Sequence, residues 1–263
     1  MCPRALILAF WPLDFASDHK SEAAIEFLRE PRYHAHMEME ITLPEEIAVM
    51  TLPNLTFFPQ ALLPLHIFEP RYQQMVKDTL ASHRLFAVAS LKIDADGETE
   101  EFEPAHRVAT LGIVRACQKH ENGTSNLLLQ GLARVEVLQI VREKPYRVVR
   151  IRPLSSKQGA APEENARLRK DLGKLIVTKQ RLGGPVPREF AQFLKTIDDP
   201  ETFVDLAAFS LCEDLNLKQK LLETLSVHRR LELFSSKMKS EINAMKLRRK
   251  LQGSLGDDDI SHN

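Results

Sequence analysis

The chain has 263 residues, of which 43% are hydrophobic and 27% charged, a composition that excludes a wholly disordered polypeptide and allows one large or two small cored domains. Lysine and arginine (36) balance aspartate and glutamate (36), so the chain lacks the basic excess of a dedicated nucleic-acid binder, whose affinity rests on neutralising phosphates. Three dispersed cysteines, Cys2, Cys117 and Cys212, form no C-x-x-C pair, which points to apolar thiols in a reducing compartment and not to a zinc site or disulfide frame.

Residues 1–40 read as a disordered extension, or as the product of a start codon placed upstream of Met37 or Met39. Within them Ser21–Arg29 has the spacing of a short helix ended by Pro31, and His34 and His36 are a weak metal signal. Ala5–Trp11 is apolar, but Pro12 and Asp14 interrupt it and no small-x-small site follows, so it is not read as a signal peptide. No stretch approaches the ~20 apolar residues of a membrane span, and a cytoplasmic location is expected.

Strands dominate 41–154. Ile47–Leu52 and Leu55–Phe58 are short apolar runs separated by Pro53-Asn54. Leu62–Phe68 reads as a buried strand that Glu69-Pro70 stops. Pro70 suits the first turn of a helix, Glu69 brings a carboxylate to its positive end, and Tyr72, Met75, Val76, Thr79 and Leu80 recur on one helical face. Leu85–Leu91 follows as a buried strand, then Asp94–Gly97 as a loop. Val108–Cys117 and Asn126–Leu129 flank Asn122-Gly123, the dipeptide of a type I′ hairpin turn. Gly131 in the returning strand predicts a bulge or a close backbone approach. The strand continues over Arg134–Val141, and Tyr146–Arg152 forms the last.

Residues 155–161 are a linker by composition, and 162–252 are helical. Leu168, Leu172, Leu175, Ile176 and Lys179 trace one face before Gly183-Gly184. Helices are expected over Pro187–Ile197, Pro200–Cys212, Leu217–Leu225 and Val227–Leu251, the last presenting Leu231, Phe234, Met238, Ile242, Met245 and Leu251 inward. Residues 253–263, with Asp257-Asp258-Asp259, read as a disordered tail.

The fold class is therefore α+β: an antiparallel, partly barrel-like β subdomain with one inserted helix, followed by a helical bundle that ends in a long helix. No phosphate loop, H-E-x-x-H, G-x-S-x-G or dinucleotide fingerprint occurs. His66, Glu69 and Arg71 are the closest approach to a chemical cluster, yet each is explained by the strand-to-helix hinge. Cys117, among apolar strand residues, reads as a core thiol, and Arg248-Arg249-Lys250 as a complement to a helix C-terminus.

Pro64-Leu65-His66-Ile67-Phe68-Glu69-Pro70-Arg71-Tyr72, preceded by Leu52-Pro53-Asn54 and Phe58-Pro59, resembles the Lon N-terminal (substrate-binding) domain. Leu111-Gly112-Ile113-Val114, the stretch Asn126–Arg134, Pro145-Tyr146 and Arg229–Leu233 extend the resemblance over Ile47–Gln252. Phe58-Pro59-Gln60 departs from the family's usual Phe-Pro-Gly, which puts the turn there in question. The resemblance implies a PUA-like β subdomain joined to helices and a role in recognising unfolded or degron-bearing proteins. It implies no protease activity, because the ATPase motif and the Ser-Lys peptidase domain are missing. A stand-alone, non-enzymatic binding module without a cofactor or metal is expected, acting as an adaptor or chaperone-like receptor alongside a protease or chaperone, with its groove between sheet and helices. Its candidate ligand rim is Pro64, His66, Phe68, Glu69, Pro70, Arg71, Tyr72, Gly131 and Arg134. RNA binding through Arg147, Arg150 and Arg152 is the alternative.

Overall fold

A ring of strands filled by aliphatic side chains and three alanines organises the first half of the chain. The computed structural model describes residues 43–91 and 105–253 and divides the chain into two units, Met1–Ser155 and Ser156–Asn263. The expected features of the first 40 residues, the Asp94–Gly97 loop and the acidic tail lie outside the described residues.

In the first unit the elements run β1 (Glu46–Leu52), β2 (Leu62–Ile67), α1 (Pro70–Ala81), β3 (Leu85–Ser90), β4 (Val108–Lys119), β5 (Ser125–Arg142) and β6 (Val148–Leu154). The pairing order is β2-β5-β4-β3-β1-β6, and β6 also pairs with β5, so β1, β3, β4, β5 and β6 close into a barrel. Residues two apart on those five strands fill it: Ile47 and Val49, Leu85, Ala87 and Ala89, Ala109 and Leu111, Val135, Val149 and Ile151. Even eight strands enclose a lumen only just wide enough for side chains. Five enclose less, and Ala87, Ala89 and Ala109 meet that limit with no exposed surface.

The expected α+β class, with one helix inserted among the strands, is what the structure shows, but the sheet is mixed. Of the six strand pairings among the described residues, β1–β3 is parallel (Val49 opposite Ala87) and the other five are antiparallel. The reason is connectivity: β2 and α1 intervene between β1 and β3, supplying the crossover that returns the chain in the same direction.

Leu55–Phe58 is not a strand. Phe57 and Phe58 are buried, yet the Phe57 carbonyl accepts from Thr110 Oγ1 at 2.6 Å instead of from a ladder partner. The Asn-Gly turn also differs from type I′, because only Gly123 has a positive φ (84°). Gly123 N–H donates to the His120 carbonyl and His120 N–H to that of Thr124, the three-residue loop in which a tight turn is followed by one left-handed residue. Tyr146 precedes β6, which begins at Val148; its ring is buried and its hydroxyl donates to Asp78 Oδ2 at 2.8 Å.

Gln60 answers the question raised by its departure from glycine. It adopts φ 63° and its N–H donates to the Gly131 carbonyl at 2.9 Å, so the turn keeps its left-handed geometry with an L-residue in place. That conformation costs a non-glycine residue about 1–2 kcal/mol, partly offset by the chain entropy glycine loses on folding. Gln60→Gly is expected to stabilise the protein by about 0.5–1 kcal/mol in urea denaturation; a destabilised variant would show that the side chain earns a contact the backbone argument omits.

The second unit contains α2 (Pro162–Arg181), α3 (Arg188–Lys195), α4 (Pro200–Leu211), α5 (Leu215–Glu223) and α6 (Val227–Gly253). α2 and α6 run parallel: Asn165 Oδ1 meets His228 Nδ1 at 3.1 Å near their starts, and Lys179 Nζ meets Glu241 Oε2 at 2.7 Å further along. Asp199 and Asp214 cap α4 and α5, accepting from the Thr202 and Leu217 N–H groups. The interior takes Leu172 and Ile176 from α2, Phe203 and Ala207 from α4, and Leu231, Phe234, Met238 and Ile242 from α6. Leu251, expected inward, is exposed at 61%, as is Leu247 at 59%, because beyond Ile242 the side chains of α6 are no longer buried.

Candidate functional site

The hinge that carries the most distinctive sequence is built by two strands and one helix. β2 pairs with β5 alone among the described strands, Leu62 opposite Gln130 through Ile67 opposite Ser125. Pro64 is therefore tolerated, since an edge strand has N–H positions that need no ladder partner. His66 lies opposite Asn126, and its Nδ1 is 2.7 Å from Asn126 Oδ1. Its ring stacks on Phe68, centroids 6.1 Å apart and planes 23° apart, while Phe68 itself is 63% exposed.

Helix α1 begins at Pro70 with Glu69 as its N-cap residue. The Glu69 backbone carbonyl accepts from the Tyr72 and Gln73 N–H groups, but its carboxylate makes no capping bond. It accepts from Arg71 Nε at 2.9 Å instead, and the Arg71 guanidinium lies 4.6 Å from the centre of the Tyr72 ring. Both members of the ion pair are about 40% exposed (42% and 40%), so it contributes little to stability. Tyr72 is buried, with its hydroxyl 3.3 Å from Thr51 N, Oγ1 and O, which fastens α1 to β1.

Gly131 provides both features expected of it. Leu111 pairs with Ala133 and Gly112 with Gly131, leaving Leu132 as the extra residue of a bulge. A Cβ at Gly131 would fall 2.1 Å from the Phe58 carbonyl oxygen. The structure brings Pro64, His66, Phe68, Glu69, Pro70, Arg71 and Tyr72 together at the hinge. Arg134 does not join them at the surface, being only 2% exposed within β5.

No step of bond-making chemistry is evident in this arrangement. The half-buried Cys117 and the buried Cys212 thiols are both pushed up from their ordinary pKa by burial, which disfavours the reactive thiolate. Among the described residues, no group of three His, Cys, Asp or Glu side chains is placed to hold a metal. No helix among them is long and apolar enough to cross a membrane. The three arginines of the RNA alternative all have carboxylate partners: Arg150 with Glu46 at 2.9 Å, Arg152 with Glu136 at 2.5 Å and Arg147 with Glu143 at 3.8 Å.

A second surface escaped the sequence reading. Where β5 leaves β4 behind, all five residues Leu138–Arg142 are exposed, including Leu138 (47%), Ile140 (48%) and Val141 (42%). Val137 pairs with Ile151 and Gln139 with Arg150, then Ile140 with Val149 and Arg142 with Val148, so Leu138 and Val141 are skipped at two bulges. Bulges re-aim side chains, and both skipped residues are among the exposed ones. The available signal was the loss of alternation in Val137-Leu138-Gln139-Ile140-Val141, a run with four apolar residues in five.

Comparison with known proteins agrees with this architecture. Residues 46–240 match the family described as the ATP-dependent protease La (LON) substrate-binding domain. The Lon protease of Syntrophus aciditrophicus is 27% identical over 218 residues, covering 82% of this chain and 28% of that protein. That of Dictyoglomus thermophilum is 24% identical over 216 residues, covering 82% and 27%. The chain thus spans a little over a quarter of the relatives it matches. Among solved structures, the N-terminal domain of the Mycobacterium avium complex Lon protease superposes with a TM-score of 0.56 at 16% identity, covering 74% of this chain and 98% of that one. A Lon N-terminal domain protein from Xanthomonas campestris gives 0.51 at 20% identity, covering 71% and 95%. At these identities the structural likeness speaks for the fold.

Proposed function

The chain belongs to the LON substrate-binding domain family, and from that premise we propose that it is a non-catalytic receptor for unfolded or degron-bearing polypeptide, serving a protease or chaperone as an adaptor. The observation that carries this reading is the exposed apolar end of β5. Leu138, Ile140 and Val141 sit close together in sequence on a strand whose fold offers them no cover. Single exposed apolar residues need no explanation, but three within four positions, two of them skipped at bulges, fit a surface that grips apolar chain. Phe68, stacked on His66 at the hinge, supplies a second exposed apolar point, and in this reading it forms the remaining rim with Arg71.

The binding geometry that suits a strand end is the addition of an extended segment, whose backbone bonds are indifferent to sequence while apolar side chains add affinity. That combination favours unfolded chain over any one folded surface.

The triple variant Leu138→Ser, Ile140→Ser, Val141→Ser tests the reading. Its residues are exposed, so each change is expected to alter stability by no more than about 0.5 kcal/mol. Binding of a reduced and alkylated, permanently unfolded globular protein is expected to weaken at least tenfold. Unchanged binding by a correctly folded triple variant would contradict the assignment of this surface.

A further inference from the structure

The second unit contains a cavity of about 450 Å³, lined entirely by α2, α3 and α4. Its floor is apolar: Ile176, Ala191, Leu194 and Phe203 are each less than 6% exposed. Its rim is cationic, with Lys170, Lys174, Arg181 and Lys195 exposed and no carboxylate in the lining. Gly173 opens the wall between rim and floor, since a Cβ there would meet only the tip of the Phe203 ring at 3.8 Å.

The cations divide by role. Arg169 is a structural wall: its guanidinium lies 4.9 Å from the centre of the Phe203 ring and donates to the carbonyls of Leu194, Lys195 and Ile197. Lys174 is engaged by Asp171 at 2.8 Å, and Asp198 stands 3.8 Å from Arg169. Lys170, Arg181 and Lys195 have no carboxylate partner among the described residues. Three uncompensated cations around an apolar floor call for an anion with an apolar body.

The shape narrows the class. From Arg169 to Arg181 the lining follows α2 through twelve residue steps, about 18 Å at 1.5 Å per step. An extended peptide of about five residues spans that length. A compact anion such as phosphate would reach one or two cations and leave the floor unused. Single-stranded nucleic acid binds such sites by stacking successive bases on aromatic faces, whereas Phe203 is the one aromatic ring in this lining and Arg169 covers it.

We propose that this trough binds an extended polypeptide segment in which a large apolar side chain is flanked by carboxylates, the apolar group seated against Leu194 and the Phe203 ring edge beside Gly173 and the carboxylates on Lys170, Arg181 and Lys195. It rests on the reading of the protein as a polypeptide receptor, and adds a charge preference to the apolar contacts offered by β5: acidic segments are selected over basic ones.

The test uses the full chain and fluorescein-labelled heptapeptides with a central leucine, one flanked by aspartate and glutamate and the other by lysine. Anisotropy is expected to show binding of the acidic peptide, weakening as salt is raised, and at least tenfold weaker binding of the lysine peptide. The variant Lys170→Glu, Arg181→Glu, Lys195→Glu, confined to exposed positions, is expected to reverse that preference. Gly173→Leu fills the trough without changing charge and is expected to weaken the acidic peptide at least tenfold. Failure of the acidic peptide to bind, equal binding by wild type and charge-reversed protein, or binding of a 20-nucleotide single-stranded RNA in place of the peptide would each overturn the proposal. If the permanently unfolded protein still binds in those cases, only the trough assignment falls; if it does not bind either, the receptor reading falls with it.

Discussion

Replacing Arg230 by methionine is expected to cost the Ser156–Asn263 unit about 3–5 kcal/mol, measured by urea denaturation with matched m-values. Arg230 lies on α6 with its side chain fully buried, and its guanidinium donates to Asp205, to Ser156 Oγ at 2.8 Å and to Glu201 Oε1 at 2.8 Å. Ser156 Oγ in turn donates to Glu201 Oε1 at 2.5 Å. Asp205 is 1% exposed, so removing Arg230 takes the cation from a carboxylate held out of water. The size of the loss comes from that stranded charge and not from the strength of the pair, because burying two ions costs nearly what their attraction returns. It follows that the double variant Arg230→Met, Asp205→Leu should recover most of the loss. A single variant within 1 kcal/mol of wild type would show that Asp205 finds water or another donor. A double variant no better than the single would show that the network contributes directly.

Gly131→Ala is expected to cost about 3 kcal/mol, the upper end of what overpacking a close-packed site costs. The added Cβ would stand 2.1 Å from the Phe58 carbonyl oxygen and 3.1 Å from Pro59 Cα, both backbone atoms that no side-chain rotation relieves. The same backbone stretch exchanges two bonds with β5, Gln60 N–H to the Gly131 carbonyl and Gly131 N–H to the Ala61 carbonyl, each at 2.9 Å. Relieving the clash means displacing Phe57 and Phe58 from the interior. Gly183→Ala is the control: φ is 84° but nothing lies within 4 Å of the new Cβ, so about 1 kcal/mol of backbone strain is all that is expected. Equal losses at the two positions would remove the steric argument.

These two positions also mark how far residue patterns carried. Gly131 was legible as a bulge or close approach because a glycine inside a strand has few other reasons to be there. The hinge was legible for the same kind of local reason: Pro70 at the first helical position and the spacing of Tyr72, Met75, Val76 and Thr79 fixed α1 and its buried face, as found. Arg230 was less so. An arginine in a long charged helix reads as surface, although it falls three residues after Val227 and four before Phe234, on the buried stripe of α6, and Glu201 and Asp205 share one face of α4 four residues apart. Pairing between elements remote in sequence is invisible to local patterns, which is also why β1–β3 was not expected to be parallel.

The candidate site divided similarly. His66, Phe68, Glu69 and Arg71 lie together at the hinge, and the Glu69 carboxylate, placed at the positive end of α1, makes no capping bond and accepts from Arg71. Arg134, expected on the ligand rim, is instead buried within β5 at 2% exposure. Leu138, Ile140 and Val141 carry the opposite lesson: four apolar residues in five suggest burial, yet these three are exposed where β5 has run past β4, with Leu138 and Val141 at bulges.

Hydrogen–deuterium exchange of the full chain, with and without a saturating reduced and alkylated unfolded protein, tests the central claim most directly. The account predicts slowed exchange concentrated in Leu138–Arg142, where β5 pairs with β6 on one side and has run past β4 on the other. Unfolded protein bound with no protection in that segment would contradict it.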